Sequence, residues 1–244
     1  MTLDLLALLT IGVFLVAVLY SSVGHAGASG YIAVMSLLGL APTVIKPTGL
    51  VLNILVASLA SWQFLRAGHF SWRLFWPFAL LAMPLAFVGG YVNLPAQWFK
   101  AIVGVVLLLS AVRFVLEARR QYTTTQPPTS LALVCGAFIG LLSGLTGTGG
   151  GIFLTPLLLW RKWAQPKTAA AVSALFILLN SGAGLLGNIA STKALPTFIL
   201  PLLIAAAAGG FIGSYFGSRR FEPVTIRRLL ALVLTVAGTK LILT

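Results

Sequence analysis

Two short stretches concentrate the residue types that could do chemistry. SGLTGTGGG, residues 143–151, packs five glycines, two threonines and a serine into nine positions, and SSVGHAGASG, residues 21–30, repeats the theme about 120 positions earlier. Glycine lets a backbone approach a ligand closely, and the hydroxyls of Ser29, Thr146 and Thr148 add donors. A helix that begins just after such a break presents unpaired N–H groups and about half a positive charge at its N-terminus. That combination holds anions. The candidate ligand contacts are Gly24, His25, Gly27, Ser29 and Gly30 in the first break and Thr146, Gly147, Thr148, Gly149 and Gly150 in the second. His25 could donate to an anion, carry a coupled proton near neutral pH, or serve only as a hydrogen-bonded structural residue; Leu145 stands at its counterpart. Thr48, Asn53, Ser173 and Asn180 follow each short segment on longer ones, where they could line the same cavity or merely bridge helices.

Other chemistries find little support. Cys135 is the one cysteine, so no intramolecular disulfide, CxxC pair or thiolate cluster can form. No HExxH motif, carboxylate pair or activated nucleophile suggests an enzyme, a metal site or a cofactor. His69 lies between Arg66 and Arg73 and reads as interfacial. The formal charge is +13, from 16 Lys and Arg against Asp4, Glu117 and Glu222. Basic residues spread over short loops are what membrane topology requires, so nucleic acid is not an expected partner. All three acids lie near the ends of apolar runs, which leaves an anion or a neutral solute as the expected cargo.

The elements that must position these residues are membrane helices. Hydrophobic residues make up 59% of the 244 and charged ones 8%, with a mean hydropathy of +1.04. Such a chain has too little polar surface to cover a soluble globule. Apolar runs recur at 3–23, 49–64, 74–92, 99–116, 131–142, 169–186, 195–216 and 229–243. Most approach the roughly 20 residues that cross a bilayer as a helix, and strand alternation is absent. The opening MTLDLLALL lacks a basic n-region and carries Asp4, so it reads as a retained helix rather than a cleaved signal.

The chain also repeats itself. At an offset of 120, Gly24, Gly27, Gly30 and Ile32 match Gly144, Gly147, Gly150 and Ile152; past WRKW the offset is 124, and Pro42, Pro77, Phe87, Gly89 and Tyr91 match Pro166, Pro201, Phe211, Gly213 and Tyr215. Two halves follow, 1–119 and 131–244, joined by the Thr- and Pro-rich linker 120–130. Each half reads as a long apolar segment, a break, a short segment (31–40 or 152–160) and three full-length helices. If each broken pair is a hairpin, the second half is inverted. Arg66, Arg73, Arg113, Arg119, Arg120, Arg161, Lys162, Lys167, Arg219, Arg220, Arg227 and Arg228 then share one face, twelve against Lys46, Lys100 and Lys193 on the other. With the halves unflipped, the loops around 40–47, 93–100, 160–167 and 217–228 share a face and the split falls to nine against six. The inverted arrangement puts the twelve in the cytoplasm, both termini outside and both breaks near the midplane. Gly209, Gly213 and Gly217, spaced by four, read as close packing instead. Arg113 and Lys240 read as snorkelling residues near helix ends.

GLTGTGGGIFLTPLLL, with the looser GHAGASGYIAVMSLLGLAP upstream, resembles the TauE/SafE family of sulfite-exporter-like permeases over nearly the whole chain. The resemblance implies an all-α polytopic protein of the inner membrane that moves a sulfur-containing anion such as sulfite, a sulfonate, sulfoacetate or thiosulfate. The expectation is a secondary transporter with the anion bound between the two broken helices. The rival expectations are a passive anion channel and a membrane assembly partner that transports nothing. Direction, coupling ion and oligomeric state, a homodimer included, stay open.

Overall fold

The computed structural model describes residues 3–22, 25–116, 123–192 and 199–219, and 231–243 apart from 233, 237 and 240. Among these the secondary structure is helical, without strands. The order is α1 (Leu3–Ser22), α2 (Ala28–Leu37), α3 (Pro42–Arg66), α4 (Trp72–Tyr91), α5 (Ala96–Leu116), α6 (Thr129–Thr146), α7 (Gly151–Trp160), α8 (Pro166–Thr192) and α9 (Ile199–Arg219). Five of these, α1, α3, α4, α6 and α8, are long and apolar enough to cross a membrane. Further helical residues between 231 and 243 pack on α5, where Gly104 faces Gly238 and Ile242.

The distribution of side chains is that of a protein in lipid. Leu8, Ile11 and Leu15 on α1 and Leu80 and Val88 on α4 are exposed, whereas Thr48, Asn53, Ser143, Ser173, Asn180 and Ser181 are wholly buried. Hydrocarbon solvates leucine but not an amide or hydroxyl, so polar groups turn inward.

Glycine spacing sets how the helices pack. Gly136, Gly140 and Gly144 of α6 lie against the backbone of Phe78, Ala82 and Ala86 of α4, pair by pair, so the two helices run in the same direction. Gly184 and Gly187 of α8 meet α4 at Ala86, Gly90 and Phe87, and Asn93 donates to Ser191 beyond them. These pairs too advance together. Across the molecule, Gly209 and Gly213 of α9 meet α1 at Phe14 and Val18, again in parallel. The expected packing role of these two glycines is therefore observed; the side chain of residue 217 lies outside the described residues. α3 joins the groups: Leu50 faces Gly184 and Asn53 bonds Ser181, so α3 runs opposite to α8.

Two boundaries differ from the sequence expectation. α3 starts at Pro42 and not in the apolar run at 49, because proline at a first helical position forfeits no bond. Residues 42–47, expected as loop, are helix, and Lys46 is buried at 5% exposure. α2 spans Ala28–Leu37 where 31–40 was expected, whereas α7, Gly151–Trp160, lies within one residue of the expected 152–160.

Candidate functional site

Each break is built from glycines in the left-handed region. α6 stops at Thr146 because Gly147 takes φ +78° and returns its N–H to the Ser143 carbonyl at 2.8 Å. Gly149 and Gly150 follow at φ +74° and +82°, so α7 cannot begin before Gly151. Among the described residues of the first break, Gly27 is the one glycine there, at φ +98°. Ala28 and Ser29 stand where the second half has Thr148 and Gly149, and they are already helical. This is why α2 starts three residues earlier than the alignment suggests and why Gly30, expected in the break, lies inside α2 against Val16 and Tyr20.

The two breaks meet. One cavity is lined by Tyr20 of α1, by His25, Gly27 and Ser29 around the first break and by Thr148 and Ile152 around the second. Ala26, Ala28, Asn53 of α3 and Ile177 of α8 complete the wall. A water-sized sphere finds room at about one position, so the space is narrow. No carboxylate is among the lining residues.

Donors converge on it. Tyr31 N–H makes the first main-chain bond of α2, to Gly27 O, leaving the N–H groups of Ala28 and Ser29 without an intrahelical acceptor. In α7 the first bonds run from Phe153 and Leu154 to Gly150 O, which leaves Ile152 N–H in the same position. The hydroxyls of Tyr20 and Ser29 share a bond of 2.8 Å; if tyrosine donates, the serine proton is free for a ligand. The Asn53 amide gives Nδ2 to Ser181 Oγ at 3.3 Å, and its other atom, also buried, has no protein partner among the described residues. An amide flip exchanges donor and acceptor there, so a ligand can be offered either.

The remaining predicted residues have other employment. Thr146 donates to Leu142 O at 2.7 Å, so in its 2.9 Å pair with Thr148 the latter is the donor and its proton is committed. Gly147 backs onto Lys46 and Gly49, Gly149 onto Asn53 and Ser181, and Gly150 onto Phe176 and Ile139. Thr48 donates to Val44 O, and Ser173 accepts from Thr155. Asn180 is buried with neither amide atom bonded among the described residues, but neither it, Thr48 nor Ser173 lines this cavity. Gly24 lies outside the described residues. Sequence reasoning passed over Tyr20 and Lys46. Tyr20 sits in an apolar run and Lys46 in an expected loop, and only tertiary contact reveals their partners.

Lys46 needs separate mention, since it was expected in a loop on the extracytoplasmic face. Its ammonium donates to the carbonyls of Gly89 at 3.1 Å, Gly90 at 2.8 Å and Val92 at 2.9 Å, closing the C-terminus of α4. Cations are favoured there by the helix dipole.

Comparison with known proteins agrees with this picture. The family model described as Sulfite exporter TauE/SafE matches residues 9–241. A protein of Sinorhizobium fredii named "Probable membrane transporter protein y4hK" is 44% identical over 239 residues, 96% of this chain and 97% of that one. Two Bacillus subtilis proteins, "Probable membrane transporter protein YunE" and "Probable membrane transporter protein YjnA", are 26% and 24% identical, over 65% and 97% of this chain and 66% and 99% of their own. No solved structure matches significantly. With a family match over almost its full length and a bundle of apolar helices enclosing buried polar groups, the chain is a multi-pass membrane transporter belonging to the TauE/SafE family.

Proposed function

We propose that the protein is a secondary transporter of a small sulfur-containing oxyanion of the sulfite, sulfonate, sulfoacetate or thiosulfate type, bound where the two breaks meet. The observation that carries this reading is the Asn53 amide, wholly buried on the cavity wall with Oδ1 unmatched by the protein; in the flipped orientation Ser181 Oγ donates to Oδ1 and Nδ2 is offered to the ligand. Leaving such a group unmet costs roughly 1–3 kcal/mol, so its retention calls for a ligand. Ser29, the early N–H groups of α2 and α7, and a wall without carboxylates favour that ligand being an anion.

The halves 1–119 and 131–244 are inverted in this reading, joined through 120–130, with both termini outside and the arginine-rich loops in the cytoplasm. Helix directions support it: α4, α6 and α8 run one way and α3 the other, and α1 runs parallel to α9. Taken as two trios, α4–α6–α8 and α1–α3–α9, each draws from both halves; glycine contacts bind α4 to α6 and α8 and bind α1 to α9, and α3 meets α9 where Val56 faces Gly210. The bodies that rock during alternating access are therefore these trios rather than the sequence halves, and the narrow cavity between them opens as α3 and α8 separate.

Flux of sulfite and sulfoacetate in vesicles containing the purified protein tests the proposal. Saturable uptake with counterflow is the expected result. Ohmic current would identify a channel, and no flux with any of these anions would remove the reading.

A further inference from the structure

We infer that Lys46 is an electrostatic positioning residue for the transported anion, acting from behind the second break; the inference rests on the anion reading above. An ammonium has three protons, and all three of those on Lys46 go to main-chain carbonyls of α4, at Gly89, Gly90 and Val92. Its partners are thus partial charges rather than a carboxylate, and the helix end offsets only about half a unit. A net positive field stays inside the protein.

Its placement directs that field at the site. Lys46, Gly49 and Asn53 lie at i, i+3 and i+7 on one face of α3. That face follows the second break: a methyl group at Gly147 would lie 3.1 Å from Lys46 O and 3.4 Å from its Cγ, Gly49 faces Gly147 O, and Gly149 faces the Asn53 amide. Seven residues at about 1.5 Å each put the lysine on the order of 10 Å along the helix from the cavity wall.

The two halves differ at this point. At the equivalent position of the second half stands Ala170, and Ser214 takes the place of Gly90 with its hydroxyl on Gly210 O. This repeat position thus carries a buried ammonium only in the first half, a costly device inside a membrane.

The experiment uses purified full-length protein and compares Lys46→Met, Lys46→Gln and Lys46→Arg with the unchanged chain. Dissociation constants for the monoanion methanesulfonate and the dianion sulfoacetate are measured by calorimetry on the monodisperse folded fraction. At about 10 Å and an effective dielectric near 20, loss of the partly offset charge weakens a monoanion roughly fourfold and a dianion by about the square of that. Lys46→Arg stays within about twofold of the unchanged protein. A cap that acts only on structure would lower thermal stability and weaken both anions by one common factor, or neither, and that result overturns the inference. Lys46→Gln keeps a donor for the carbonyls and gives the same comparison should the methionine variant not fold. If the unchanged protein binds neither anion, the anion reading fails along with the inference; if it binds both and the charge dependence is absent, only the inference fails.

Discussion

The two breaks occupy matching positions in the repeat, yet they are made differently. The second is a backbone structure: three left-handed glycines held between α3 and α8, where a methyl group at Gly149 would come within 2.7 Å of Asn53 Nδ2 and 2.8 Å of both Ile177 Cγ2 and Ser181 Oγ. The first has one such glycine among its described residues, and the nearest atoms to a methyl group at Gly27 are at the far end of the Tyr31 ring, at 2.9 Å. Its contribution is side chains, with Tyr20, His25 and Ser29 on the cavity wall. Duplication thus supplied two copies of one device, and divergence left one as the frame and the other as the source of functional groups.

The sharpest way to break this contrast is Gly149→Val. The left-handed conformation costs a side chain roughly 1–2 kcal/mol, and here the branched group also drives into helices on both sides, so transport in vesicles is expected to vanish and detergent stability to fall. Asn53→Asp comes next. At about 4 Å and an effective dielectric near 20 the repulsion of a unit anion is about 4 kcal/mol, so sulfoacetate affinity should drop by two orders of magnitude or more in calorimetry. Unchanged binding would take Asn53 out of the site. Gly27→Ala should be milder than Gly149→Ala, with folded protein recovered and flux reduced by about tenfold, since beyond the backbone penalty of ~1–2 kcal/mol the nearest atoms belong to the end of one ring, Tyr31, rather than to two helices. The smallest effects separate the hydroxyls. With Tyr20 donating to Ser29, Ser29→Ala removes a donor worth about 1 kcal/mol and should weaken binding about fivefold, whereas Thr148→Val, whose proton already serves Thr146, should change the dissociation constant less than twofold. The reverse ranking would make the second break the donor side.

Much of this arrangement was legible in the sequence. The breaks, the half-length helices after them and the packing glycines at 209 and 213 follow from spacing, because positive φ and close approach both select glycine. Asn53 was legible as a polar residue in an apolar run. Distinguishing it from Thr48 and Ser173 was not, since a hydroxyl can return to the carbonyl four residues back or to a neighbouring helix, and composition does not say which. Lys46 was misread for a related reason. A lysine after a proline near the start of an apolar run is ordinarily at the water interface, and its three acceptors come from residues more than 40 positions away.

The parallel glycine contacts of α4 with α6 bear on how the protein is made. α4 enters the bilayer before α6 has been synthesised, and its tightest groove, at Phe78, Ala82 and Ala86, waits for Gly136, Gly140 and Gly144. α1 waits longer still, for Gly209 and Gly213 near the end of the chain. Insertion can therefore proceed helix by helix, but assembly cannot: a ribosome halted after residue 116 leaves two seams open to lipid, and the broken hairpin of the first half has nothing to close against.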